Sequence, residues 1–305
     1  MKTLLSYLVI SIISIAFASC SNPTPTELYN DTATNENVKV EVISQQPAVY
    51  VYSNGYDTTG IYEPFIDKST IISVSGIKNT GYGLSKHEYY FAQFNDKTNP
   101  VSTTRGMMLG YKTNSVGIVR FNNVLAQTKQ QLMGFHNNGI RRDTVLGVRY
   151  EVIAEMMGHG MFQSDYSYNS KINFRLDSGK GNTQFDIPTP PEIIGDVKTQ
   201  GSIFNKTFQM QLFWNGLGTG QIEVVIGTFK QPGSEISPLL KLVGSDSGKM
   251  NVPQNIIENI PSEQRSSLVV TFIRRIIKEI PNNEILNDSY IVSQSIHNIK
   301  IQIPR

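Results

Sequence analysis

The strongest constraint on this chain is a pattern. Short stretches in which apolar and polar residues alternate with a period of two recur along its length, each closed by Gly, Asn, Asp or Pro. Val38, Val40 and Val42 fall on one side of the first, with Lys39, Glu41 and Ile43 opposite. Val49-Tyr50-Val51-Tyr52 follows and runs into Asn54-Gly55, a tight-turn signal. Similar stretches cover residues 70–75, 87–94, 103–112, 116–121, 149–156, 171–176 and 183–187. In a pleated strand, period two sends alternate side chains to opposite faces, so each stretch can bury one face. No long amphipathic helices alternate with these stretches, which disfavours a parallel α/β sheet. The expected class is all-β, an antiparallel sandwich. Residues 127–135 fit the pattern poorly and read as a short helix or a loop excursion.

Pro188-Thr189-Pro190-Pro191 is the best candidate boundary, because three prolines in four residues cannot join a central strand. The β texture resumes beyond it. Residues 208–214 alternate and end in Trp214 before an Asn215-Gly216 turn, and 221–229 and 239–243 read as further strands. Residues 253–260 suit one or two helical turns stopped by Pro261. Residues 267–274 read as a strand, and 290–293 and 298–303 complete the sheet. Two immunoglobulin- or fibronectin-like sandwiches are expected, over 37–188 and 189–305.

The start of the chain has a different texture. Lys2 precedes a 15-residue apolar run over 4–18, then Phe17-Ala18-Ser19 leads into Cys20, the only cysteine. The run is shorter than the roughly 20 residues that span a bilayer and fits the apolar core of a signal peptide. Phe17-Ala18-Ser19-Cys20 resembles a bacterial lipobox, with Phe17 where an aliphatic residue is usual. The resemblance implies a signal peptide over 1–19 and a lipid on Cys20, which then becomes the first residue of the mature chain. Residues 20–36, rich in Thr, Asn and Pro, read as a tether too polar to order itself. Its residues reach about 2 nm as a flexible chain. The expected location is the bacterial cell envelope, anchored to a membrane through Cys20. Ser21, where enteric inner-membrane lipoproteins carry Asp, points to the outer membrane. The first acidic residues after Cys20 are Glu27 and Asp31, late and isolated, so periplasmic and surface faces both stay open.

The C-terminal segment carries Phe213-Trp214-Asn215, an aliphatic strand over 222–226, Asp246-Ser247-Gly248, a short helix before Pro261, and a strand ending in Arg274. In that order these resemble a β-sandwich module of Bacteroidota lipoproteins. The resemblance covers roughly residues 200–303. It implies an envelope location and a sandwich, and brings no activity.

Chemistry-bearing motifs are sparse. With 27 basic and 25 acidic residues and no charged block, the chain is not expected to bind nucleic acid. The four histidines, His87, His136, His159 and His297, lack metal-ligand spacing. Met156, Met157, His159 and Met161 would suit copper(I) only if they converged, and otherwise pack around a glycine bend. Glu151 and Glu155 lie on one strand face about 13 Å apart, too far for a glycosidase pair, and read as a solvated face. No nucleophile elbow, phosphate loop or calcium loop is present, and no cofactor is expected. Half of the 14 tyrosines lie between residues 50 and 90. Of these, Tyr50, Tyr52, Tyr56 and Tyr82 are candidate glycan contacts, against the alternative that they pack within the sheets. Three triplets beginning at Asp31, Asp57 and Asp143 resemble the Bacteroidota O-glycosylation acceptor, with Thr32 in the tether as the best placed. The expected role is non-catalytic binding or scaffolding of an envelope protein, with surface glycan binding as the alternative and a hydrolase formed only in three dimensions as the third class.

Overall fold

The computed structural model describes residues 26–30, 37–42, 67–83, 86–104, 106, 108–137, 140–153, 166–202, 205, 207–229, 236–252, 254–258, 260, 267–278, 285–286 and 288–303. In the first half the strands are β1 (Thr26–Asn30), β2 (Asn37–Val42), β3 (Thr70–Thr80), β4 (Lys86–Ser102), β5 (Met108–Thr113), β6 (Gly117–Phe121), β7 (Val124–Leu125), β8 (Gln127–Asn137), β9 (Ile140–Ile153), β10 (Lys171–Ser178) and β11 (Gly181–Pro188). In the second they are β12 (Gly195–Gln200), β13 (Gln209–Trp214), β14 (Gln221–Phe229), β15 (Ile236–Ser245), β16 (Lys249–Val252), β17 (Ser267–Lys278) and β18 (Ser289–Gln302). One short helix, α1 (Gln254–Glu258), lies between β16 and β17 and turns Ile256 and Ile257 inward.

The protein is an all-β sandwich built on one long sheet. Eleven strands run in the order β1-β2-β15-β14-β17-β18-β3-β4-β5-β9-β8. A four-stranded sheet, β11-β10-β6-β7, and a three-stranded sheet, β12-β13-β16, form the facing layer. Each smaller sheet closes its own core. Ile72, Val74, Tyr90, Phe94, Tyr150 and Ile291 of the long sheet meet Val119, Phe121, Ile172, Phe174 and Leu176. Val224, Leu240, Val270, Phe272 and Ile299 meet Met210, Leu212, Trp214, Met250 and Val252, with Ile256 and Ile257 of α1. The alternation read from the sequence is what lets each long-sheet strand serve such a core with every second residue.

The long sheet runs without a break past the proline-rich segment. β18 pairs antiparallel with β17 and parallel with β3, from Ser289↔Thr70 to Ile299↔Thr80. Parallel neighbours need a long crossover, and more than 200 residues separate these two in sequence. β2, expected in the first sandwich, pairs with β15, from Leu240↔Val42 to Val243↔Lys39.

Three local expectations change. Residues 127–135 are neither helix nor loop: they form β8, an edge strand laddered to β9 from Gln127↔Glu151 to Asn137↔Ile140. The ladder is a backbone property, and the many polar side chains of an edge strand hide the period. Within the segment read as a tether, Thr26–Asn30 forms β1 against β2. Edge pairing needs backbone partners and no core, so composition argues poorly against it. The two stretches read at 290–293 and 298–303 are one strand, β18.

Candidate functional site

Cys20, Thr32, Tyr50, Tyr52, Tyr56 and the Met156–Met161 bend with His159 lie outside the described residues. Tyr82 is half-buried in the turn after β3, between Gly81 and Gly83, both at positive φ. Tyr89 and Tyr90 take opposite faces of β4. Tyr90 is inward, with ring centroids 5.5 Å from Phe121 and 6.3 Å from Tyr166. Thr144, the third glycosylation triplet's threonine, sits in the β8–β9 ladder opposite Met133.

Glu151 is not on a solvated face. It is 6 % exposed, and it takes hydrogen bonds from Arg149 Nε at 2.7 Å and the Tyr89 hydroxyl at 2.8 Å. Lys129 lies 3.3 Å away. Burial opposes ionisation here, but Arg149, the Tyr89 hydroxyl and Lys129 outweigh it and hold the carboxyl below its usual range. The Arg149 guanidinium also lies over Phe91, 5.1 Å from the ring centroid.

The residues that carried the C-terminal resemblance converge on one buried network. Arg274, at the inner end of a core-facing run on β17, donates to Asp246 through Nε at 2.8 Å and Nη2 at 3.0 Å. Trp214 Nε1 donates to the same carboxylate at 2.6 Å. Arg274 Nη2 also donates to the Asn215 carbonyl at 2.8 Å, and Nη1 reaches the carbonyls of Pro191 and Glu192. The Asn215 side chain accepts from Ile194 N–H and donates to the Glu192 carbonyl. Gly248 closes the turn at φ 95° and its carbonyl accepts from Trp214 N–H. A fork of planar donors suits this carboxylate-plus-carbonyl cradle in a way an ammonium does not.

Beside that network the inward face of β18 grips the stretch from the end of β11 to the start of β12. Ser293 Oγ donates to the Pro188 carbonyl at 2.5 Å, and Ser295 Oγ accepts from Ile193 N–H at 2.8 Å. Two residues on, His297 Nδ1 accepts from Gly195 N–H at 2.9 Å. Because Nδ1 accepts, the ring proton sits on Nε2, which donates to Thr80 Oγ1 at 2.9 Å. Burial, and then Lys78, lower the pKa of His297 to about 4, so the imidazole is neutral at ordinary pH. Period two in Ser293-Gln294-Ser295-Ile296-His297 was the available sequence signal for this clamp, but polar residues on a buried face do not announce themselves by hydropathy.

The same seam continues onto β3 and β4. Glu88, 2 % exposed, accepts the Tyr90 hydroxyl. Burial, then Glu88, push the Tyr90 hydroxyl far above its ordinary pKa. Burial does the same for Tyr166 and Tyr168. These phenols stay protonated, and that of Tyr90 donates to Glu88. Tyr166 packs over Gly76, where a Cβ would stand 2.4 Å from its Cδ1. Among the described residues no three His, Cys, Asp or Glu side chains gather as a metal-binding set. Comparison with known protein families, with curated proteins and with solved structures finds no match.

Proposed function

We propose that the chain is a lipid-anchored lipoprotein of the bacterial cell envelope, held in the outer membrane through Cys20, with a non-catalytic binding or scaffolding role. The observation that carries this reading is the 15-residue apolar run over 4–18 that leads through Ser19 into Cys20, in a chain with no second cysteine to serve as a disulfide partner. Two acyl chains, at roughly 0.8 kcal/mol per buried CH₂, suffice for stable anchoring. The scaffolding part is supported by how the buried ionisable groups are used. Arg274, Asp246 and His297 are each engaged in hydrogen bonds that tie strands and the segment between β11 and β12 together.

The test is metabolic labelling of the full chain with an alkyne-bearing palmitate, followed by membrane fractionation. The wild-type chain is expected to take the label and to sediment with outer membranes. Cys20→Ala should lose the label and leave the membrane fraction. A Cys20→Ala chain that still sediments with membranes refutes the anchor.

A further inference from the structure

Among the described residues both layers of the sandwich end on the same side of the molecule. β7 is an end strand of the four-stranded sheet and β8 an end strand of the long sheet, and only Ala126 separates them in sequence. β8 is laddered to β9 on one side and has no described strand on the other. In an antiparallel pair every second residue aims its N–H and C=O away from the partner, so the outer edge of β8 offers a row of backbone donors and acceptors. This strand is open to solvent: Gln127, Thr128, Gln130 and Leu132 are exposed. At the opposite end of the long sheet, β1 has five residues against the eleven of β8.

Solvent edges are ordinarily kept from pairing by charge, by proline or by a bulge in the edge strand itself. β8 has none of these. No proline lies between Val124 and Asn137, and the one formal charge there, Lys129, is turned to Glu151 of its own sheet at 3.3 Å. The ladder does contain a bulge, but its extra residue is Leu146 on β9, since Gln131 pairs with Gly147 and Leu132 with Val145. Apolar side chains gather at this end as well. Of the seven large apolar residues exposed among the described ones, four are here, one on each strand from β6 to β9: Ile118, Leu125, Leu132 and Val145. Leu132 and Val145, 46 % and 40 % exposed, oppose each other across the ladder and so share a face.

We propose that β8 is the contact between two copies of this chain, paired antiparallel about a two-fold axis so that their long sheets become one. Leu132 is the middle residue of Gln127–Asn137, so pairing of all eleven residues sets it against Leu132 of the second copy. The ladder to β9 extends that contact into an apolar stripe over four strands, Val145 and Leu132 of one copy beside Leu132 and Val145 of the other. In the same register Lys129 falls opposite Phe135, and no charge meets its like. An unrelated extended peptide would satisfy the backbone row equally well. The second copy is favoured because its edge supplies an equal pair of exposed apolar residues at the centre of the strand.

The test is cysteine cross-linking and light scattering on the purified full chain in detergent. The wild-type chain, whose only cysteine is Cys20, sets the background. Under mild oxidation Leu132→Cys is expected to give disulfide-linked dimer well above that background, because opposed Cα atoms in an antiparallel pair stand about 4.5–5.5 Å apart, within disulfide reach. Thr128→Cys alone should give none, since its counterpart lies eight residues along the ladder, about 26 Å away at 3.3 Å per residue. Mixed with His136→Cys, which it faces, it should cross-link. Multi-angle light scattering should find the wild-type chain dimeric at about 50 μM, and Leu132→Lys, which sets two ammonium groups on the axis, should weaken the dimer by about tenfold or more. Leu132 is exposed, so this variant should fold, and Trp214 fluorescence checks that it does. A wild-type chain still monomeric at about 100 μM, equal cross-linking at positions 128 and 132, or a Leu132→Lys chain that dimerises as the wild type does would each overturn the proposal.

Discussion

Arg274→Met removes the cation from a network whose other members cannot leave. The Arg274 side chain is 5 % exposed and Asp246 is 2 % exposed, so water cannot replace the guanidinium. In the variant, Asp246 keeps only Trp214 Nε1–H among the donors described above, and the carbonyl of Asn215 loses its 2.8 Å partner. Breaking one side of a buried pair costs about 3–5 kcal/mol because the surviving charge stays buried and uncompensated. Total stabilities are about 5–15 kcal/mol, so the loss is a large share of the whole. Equilibrium urea unfolding of Arg274→Met, Asp246→Leu and the double variant reads this directly. The double variant is expected to be well above the sum of the singles, with a coupling of at least about 2 kcal/mol, because removing both charges also removes the stranded one. It should not return to wild type, since Trp214 Nε1–H and the carbonyls of Pro191, Glu192 and Asn215 lose partners. An Arg274→Met cost under about 1 kcal/mol, or strict additivity, would refute the buried-pair reading.

Other outcomes follow from single contacts. Gly76→Ala drives a Cβ into the Tyr166 ring on a strand paired on both sides, and should lower stability by about 1–3 kcal/mol in thermal unfolding. Gly76→Ala combined with Tyr166→Leu should then lose less than the two singles together. His297 has a folded pKa of about 4 against an ordinary 6.5, so the unfolded chain binds an extra proton between those values. Stability from this group is therefore full above pH 6.5 and drains away as pH falls towards 4. His297→Asn should flatten that part of the pH–stability profile, and an unchanged slope would show that another group is responsible. Because both cores share the long sheet through β18 and β3, unfolding should be one transition. Trp214, the only tryptophan and a reporter of the second core, should lose its fluorescence signal at the same urea concentration at which far-UV circular dichroism is lost. Two separated midpoints would mean that the halves unfold independently.

Much of the fold was legible because it depends on a short-range rule. Strands whose inward residues are apolar, such as Met210-Gln211-Leu212-Phe213-Trp214, declare their period in the sequence. Where the inward residues are polar the signal vanishes. β18 looked like two fragments because Ser293, Ser295 and His297 occupy inward positions that a hydropathy reading expects to be apolar. β8 was obscured for a related reason, its Gln127, Lys129 and Gln131 being edge residues with little to bury. Register and partner choice were not legible at all. Nothing local says that β18 lies parallel to β3, because that choice is made by the fit of surfaces more than 200 residues apart in sequence. The Trp214–Asp246–Arg274 network sits between these limits. Its members stood out one by one in the sequence, and only the fold brought them within 3 Å of one another.

β18 separates structural polarity from the other kind. On its inward face Ser293, Ser295 and His297 each meet a backbone group of the stretch from Pro188 to Gly195, so each has a folding reason to be polar. On its outward face Asn298 has one too, in its bonds with Thr271 and Asn79. Gln294 has none. It lies between Val292 and Ile296 on a buried face, where a β-branched aliphatic residue would suit a strand better and leave no amide unpaired. Its neighbours in register, Ser75 and Arg275, repeat the anomaly on two other strands. Sheet stability alone would favour apolar residues at all three positions, so the row is a local cost that the surrounding ladders of β17, β18 and β3 carry.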